Sequence, residues 1–475
     1  MKKVGIYLLV GVFFIVVFAG ITQAATPEWW KQAAALYKGI TIRGVSESTP
    51  PSKAVRDYAA RDFEKLTGIK VQFELTSWDE MYTKSINDMS RGTGIYDFVY
   101  VEQDIIYAYL VKHWLTDLTE LAKKYPQLDD PDFDINDFTT FINYFKDARG
   151  HVFGIPFEAF LKSYVYRKDL FSNPEIRAAF KSEYGWDLRP PKDWKEYTQI
   201  AKFFTEWGKK KGIELYGHVA QAKTHPCVAY EMVESIWPAW GIYNWGINLK
   251  KWRATVENGG TLNGKRAKEA LRWYVDMLKY APPGVRTYTW DETAAVVGAG
   301  KIAQGLIYLE NLPWVELDKS RSVVTGKIGV ALPPTYPGVM SEAARGLGYI
   351  GYYDGGAFAI PKSSRKKQAA WLFIQWATRK QWAPKFAQLA GRICRKSTFN
   401  SPEIKELNVK LSGYYDMMKK FEFLFAGAPS LPMHRPLNEL YLKWISKAVA
   451  GEVDPDTALD SLAREVDKLL IDLGY

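Results

Sequence analysis

YDFVYVEQDIIYAYLVKHWLTDL, residues 96–118, is the stretch whose reading decides the fold. Residues 98–101 form a short apolar run of aromatic and β-branched side chains, the composition of a buried strand. From Ile105 the apolar spacing turns helical, through Ile106, Tyr109 and Leu110. A strand therefore passes into a helix at Glu102-Gln103-Asp104. In open α/β sheets a ligand lies beyond the carboxyl ends of the strands, so a polar trio at this joint points into a cleft. The competing reading is an ordinary helix N-cap, with Asp104 accepting backbone N–H bonds.

On the N-terminal side, residues 26–37 read as a short polar and aromatic lead-in, and residues 40–45 as a first strand. Val55, Ala59, Phe63 and Leu66 mark a helix that Gly68 stops, and residues 69–75 alternate as a second strand. Ser77 and Glu80 have the spacing of a capping box for the next helix. A β-α-β-α-β unit is thus complete by residue 102, which implies parallel strands and right-handed crossovers.

On the C-terminal side, residues 150–156 read as a turn-rich strand, and residues 158–166 as a crossing between domains. Trp194 opens a helix that continues through Ile200 and Phe203, and residues 267–280 form an amphipathic helix. GLIYL, residues 305–309, is a strand ending at Glu310-Asn311. GLGYIGYYDGG, residues 346–356, flows into another strand, after which Ser364 is expected to cap a helix. The last helix has Asp454 as N-cap, Pro455 at its first position and Gly474 as its stop.

The chain has 475 residues and a formal net charge of +10. Lys2 and Lys3, an uncharged apolar stretch over residues 4–20 and Thr22-Gln23-Ala24 read as a secretory signal peptide cut after Ala24, with a retained anchor as the alternative. Removing these 24 residues leaves 451 of the 475 and a charge near +8. No cysteine stands near the cut, so no lipid anchor is expected on the mature chain, which is read as exported and periplasmic. Export and the lack of a compact Lys/Arg block argue against nucleic acid. Cys227 and Cys394 are the only cysteines and show no metal-ligand spacing. Pairing and free burial are both open to them.

Six segments, in one order, carry a resemblance: LTGIKVQFEL (66–75), YDFVYVEQD (96–104), GIPFEAFLKSYVYRKDLF (154–171), PKDWKEYTQIAKF (191–203), GKIAQGLIYLEN (300–311) and GGAFAIPKSSRKKQAAWLFIQWA (355–377). Together they resemble the family 1 extracellular solute-binding proteins of ATP-driven (ABC) importers, the maltose-binding-protein-like group. The resemblance implies two α/β lobes, each an open, mostly parallel sheet flanked by helices, joined by several hinge crossings. It implies lobe 1 from residues 25–156 plus 355–393, and lobe 2 from 157–354 plus 394–475. It further implies a monomer that closes over one carbohydrate, a sugar or polyol, and delivers it to membrane permease subunits without catalysis, cofactor or metal. Asp104 keeps the family's spacing from the strand-opening Asp97, and Glu158 resembles a hinge carboxylate, although two extra residues separate it from the following YRKD.

A sugar presents hydroxyls that both donate and accept, on a ring with apolar faces. Carboxylates and amides suit the edge, and Trp or Tyr suits the face. The candidate ligand contacts are therefore Glu47, Glu102, Gln103, Asp104, Glu158, Glu310, Asn311, Asp354 and Arg392 for the polar rim, with Trp78, Trp237, Trp240 and Tyr353 as rings. Gly355 is added for close backbone approach and His225 as a cleft imidazole. Glu310 and Asn311 stand where many relatives carry Gly and Trp, leaving Trp314 as a substitute ring. Most tryptophans serve cores, and a charged loop residue such as Glu47 is as often merely solvated. Two rivals are a secreted glycoside hydrolase, which also pairs carboxylates with rings, and a metal receptor built on Tyr308, Tyr352 and Tyr353.

Overall fold

The computed structural model describes residues 25–475; the expected export segment, residues 1–24, lies outside the described residues. Seven strands organise the chain: β1 (Thr41–Glu47), β2 (Lys70–Thr76), β3 (Phe98–Glu102), β4 (Ile155–Arg167), β5 (Gln304–Tyr308), β6 (Ile328–Ala331) and β7 (Tyr353–Ala359). They form one seven-stranded sheet in the order β2-β1-β3-β7-β4-β5, with β6 also pairing with β4. The hand-over at residue 102 is as expected: β3 ends at Glu102, and the next helix runs from Ile106 to Val111.

Among the seven strands, parallel pairing is confined to β2-β1-β3. All other pairs are antiparallel, a departure from the mostly parallel sheets expected of each lobe. The reason is the path of β4. Residues up to Leu161 pair with β7, and residues from Lys162 onward pair with β5 and β6, so this one strand carries the chain from one lobe into the other. β7 runs between β3 and the first half of β4, antiparallel to both.

Three apolar cores pack around the strands among the described residues. One gathers Val99, Phe98, Phe358 and Phe373 around the first strands, and another gathers Trp237, Tyr274, Leu459 and Val466. The final helix, Pro455–Asp472, has the expected Asp454 cap, whose carboxylate accepts from Thr457 N at 3.0 Å. Its Leu459, Leu462, Val466 and Leu470 are buried at helical spacing in the second core.

Some local readings change. The lead-in is a helix, Pro27–Ala34, because Thr26 caps it, Pro27 fits its first turn, and Trp30 and Ala34 share a buried face. The region 150–156 is largely irregular, since β4 begins only at Ile155. Ser364 lies ahead of its helix, Lys367–Ala377, and its hydroxyl donates to Asp97 Oδ1 at 2.7 Å, so it ties that helix to the start of β3. Ser77 does accept from Glu80 N at 3.3 Å, but the Glu80 carboxylate turns to Thr76, leaving the box half made. Cys227 and Cys394 are both buried and free. Among the described residues, no helix is long and apolar enough to cross a membrane.

Candidate functional site

Strand periodicity of two builds one wall of a cavity lined by residues from both halves of the chain. Side chains two apart share a face, so β3 presents Tyr100 and Glu102, and β4 presents Glu158 and Phe160. A register shift between Pro156 and Glu158 accompanies this; such bulges re-aim side chains beside functional sites. Glu47 lies at the end of β1 and Asp354 near the start of β7, while Tyr308, Glu310 and Asn311 come from the end of β5. The cavity measures about 170 Å³. That holds about a dozen water-sized groups, the heavy-atom content of a single hexose or hexitol.

Two tryptophans stand at the first positions of helices and form its aromatic side. Trp78 opens the helix Trp78–Arg91, and Trp290 opens Trp290–Gly298 behind a complete Thr289/Glu292 capping box. Their rings approach edge to face at 6.5 Å. The Trp78 indole donates to Glu102 Oε2 at 2.9 Å, which fixes both ring and carboxylate.

Asp104 faces the cavity and does not act as the cap it could have been: the helix starts two residues later, and no backbone N–H bonds to the Asp104 carboxylate. Instead its Oδ2 accepts from the Tyr230 hydroxyl at 2.9 Å and lies 3.0 Å from His434 Nε2. Tyr230 ends the helix Pro226–Tyr230, which continues as one π-helical turn over Glu231–Ile236. Such turns recur at functional sites. Here Glu234 reaches the cavity and accepts from the Tyr308 hydroxyl at 2.5 Å, while Glu231 pairs with buried Lys162 at 2.6 Å.

Among the described residues, Arg392 is the only cation on the cavity wall. Its guanidinium lies 4.6 Å from the Phe160 ring and bridges Glu158 and Glu310, one carboxylate per terminal nitrogen. Burial lowers it to about 10, which still leaves it charged at neutral pH. Burial also pushes Glu47 and Asp354 up to about 7, and Glu102 well above the usual carboxylate range, where Asp104 and Asp354 nearby add repulsion. The cavity thus gathers carboxylates in an environment short of counter-charge.

Nine of the fifteen expected positions meet at this cavity: Glu47, Trp78, Glu102, Asp104, Glu158, Glu310, Asn311, Asp354 and Arg392. The other six lie elsewhere. Trp237 is fully buried against Tyr441 in the second core, and Trp240 packs face to face with Trp194 at 6.1 Å. Tyr353 follows the alternation of β7 to the opposite face from Asp354 and donates to Thr139 Oγ1 at 2.9 Å. Gln103 is fully buried and accepts from Ala428 N at 2.6 Å. His225 sits behind Trp290, ring to ring at 5.1 Å, and caps the helix that carries Tyr230.

Gly355 spaces two strands. At its φ of +137° a Cβ would come within 2.3 Å of the Glu158 carbonyl oxygen, so glycine lets β7 close on β4. Trp314 is turned away, its indole donating to Asn311 at 2.9 Å, and it does not line the cavity. The proposed metal tyrosines diverge: Tyr308 goes to Glu234, Tyr352 accepts from Trp245, and Tyr353 goes to Thr139.

Sequence reading missed Tyr100, Phe160, Tyr230, Glu234, Trp290, Asp291 and Tyr308 as wall residues. One signal was present: in EMVESIW, residues 231–237, two acids interrupt an apolar run three residues apart, and buried acids need partners or a ligand.

Comparison with known proteins gives a consistent answer. A family model described as bacterial extracellular solute-binding protein matches residues 46–384. The crystal structure of an ABC transporter solute-binding protein from Agrobacterium radiobacter K84 in complex with ribitol superposes with a TM-score of 0.72 at 25% identity, covering 91% of this chain and 99% of that one. A solute-binding protein from Agrobacterium vitis S4 with bound D-mannitol gives 0.71 at 22% identity, covering 92% and 99%. The mannitol-binding protein of Pseudomonas aeruginosa is 23% identical over 82% of this chain and 83% of its own length.

Proposed function

Because the chain belongs to the bacterial extracellular solute-binding proteins, we propose that it receives one sugar or polyol molecule in the interlobe cavity and hands it, chemically unchanged, to the permease of an ATP-driven importer. The observation that carries this reading is the pairing of carboxylates with Trp78 and Trp290 around a space of monosaccharide size. Acids accept from the hydroxyl edge, and rings cover the C–H faces. Relatives whose names include ribitol and mannitol support the same ligand class.

In this reading the nine wall residues expected from the sequence, together with Tyr230, Glu234, Trp290, Asp291 and Tyr308, are the ligand contacts. Residues 25–156 plus 355–393 act as one lobe, and 157–354 plus 394–475 as the other, with β4 and β7 as hinge strands. Ligand drives closure because only the closed form lets both lobes touch it. The protein works as an exported, periplasmic monomer.

A thermal-shift screen over sugars, polyols and sugar phosphates tests the proposal, since a ligand that binds only the folded state raises Tm. A saturable rise with a subset of sugars or polyols is expected. No shift with any of them, or sustained turnover of chromogenic glycosides, would overturn it.

A further inference from the structure

Four carboxylates of the cavity wall, Glu47, Glu102, Asp291 and Asp354, have no cationic side chain within salt-bridge distance among the described residues. The charges that could have served them are already engaged. Arg392 bridges Glu158 and Glu310. Lys162 is fully buried on Glu231 and stays 3.9 Å from Glu234. His434 shares Asp104 with Tyr230. A neutral polyol supplies hydroxyl donors to such a wall but no charge, so the wall's carboxyls stay partly protonated, Glu102 above all, whereas a cation seated in the cavity draws them to the ionised form.

A second, independent feature answers this one. The Trp78 and Trp290 rings meet at 67° on the cavity wall. Tryptophan is the best of the aromatic faces for a cation, and desolvation strengthens the contact. Glu102 is anchored on the Trp78 indole, so an ammonium held there meets a ring and a carboxylate together. An ammonium offers three donors and no acceptor, which matches the carboxylate oxygens of Glu102 and Asp354 on this wall.

From these two features we infer that the solute is a cationic carbohydrate, a sugar or polyol bearing a free amino group, with its ammonium near Glu102 and Asp354 and its hydroxyls on the remaining acids. The inference rests on the sugar or polyol reading above and narrows it. It assigns charge recognition to Glu47, Glu102, Asp291 and Asp354, and leaves Arg392 to position Glu158 and Glu310.

Calorimetric titration of the mature protein at pH 7.5 with matched sets separates the two claims. The sets are glucose, glucosamine and N-acetylglucosamine; galactose, galactosamine and N-acetylgalactosamine; and glucitol with 1-amino-1-deoxyglucitol. In at least one set the free amine is expected to bind about tenfold or more tighter than its neutral counterparts. Raising NaCl to 0.5 M should narrow that gap, as should Glu102→Gln, whose amide oxygen can still accept from Trp78. Neutral members binding as well as the amines would overturn the cationic ligand and leave the polyol reading standing. Binding by no member of any set would overturn both.

Discussion

The Tyr230 hydroxyl donates to Asp104 Oδ2 across 2.9 Å, joining residues 126 positions apart in the chain. One partner sits at the carboxyl end of β3 and the other at the start of a π-helical turn in the second core. This bond, with His434 on the same oxygen, holds the Asp104 carboxylate on the cavity wall. Tyr230→Phe should remove a single hydrogen bond, about 1 kcal/mol, and weaken ligand binding by about fivefold with the fold intact. Asp104→Ala should weaken it further while the Tm of the ligand-free protein stays close to wild type. Unchanged affinity in Asp104→Ala would remove this residue from the site.

Arg392 is buried and holds two carboxylates. Arg392→Met leaves Glu158 and Glu310 without their counter-charge, a change that costs about 3–5 kcal/mol in comparable buried pairs. Urea denaturation should show that loss, and the double variant with Glu158→Gln should recover part of it. A single variant as stable as wild type would contradict the bridge.

The tryptophans divide into two kinds. Trp240 packs on Trp194 and Tyr336 away from the cavity, whereas Trp290 lies on its wall. Trp240→Ala should lower stability by about 3–5 kcal/mol and leave affinity nearly unchanged at temperatures where it is folded. Trp290→Ala should do the reverse, with affinity falling about tenfold or more, roughly 1.4 kcal/mol. Titration and denaturation of both variants give four numbers, and the opposite pattern would reassign the rings.

Burial raises Glu47 from 4.5 and Asp354 from 3.8 to about 7 each. Between the ordinary values and 7, the folded protein keeps protons that the unfolded chain has released. Stability therefore falls as pH rises through this window. The Tm of the ligand-free protein should drop from pH 5 to pH 7.5 at constant ionic strength, and Glu47→Gln with Asp354→Asn should flatten the slope. A slope unaffected by the two substitutions would contradict the assignment.

Much of the fold was legible because its signals are local. The change from strand to helical spacing at residues 102–105 placed β3, and the caps at Ser77 and Asp454 placed helix starts. The polar rim was legible for the same reason, since acids at strand ends announce themselves in the sequence. Rings were not. Trp78, Trp237 and Trp240 look alike as letters, and only packing against Trp194 and Tyr441 removes the last two from the cavity. The antiparallel half of the sheet was also hidden, because strand direction at β4 and β7 depends on which lobe each has just left. Glu234 was missed for a further reason: a π-helical turn alters the facing that a regular helix would give.

The most direct test of the central claim is a crystal structure of the protein with the sugar or polyol that raises its Tm most. Intact ligand density is expected against Trp78 and Trp290, with polar ligand atoms within hydrogen-bond distance of Glu102, Asp104 and Asp354. Ligand bound anywhere outside this cavity, or recovered as a hydrolysed product, would contradict it.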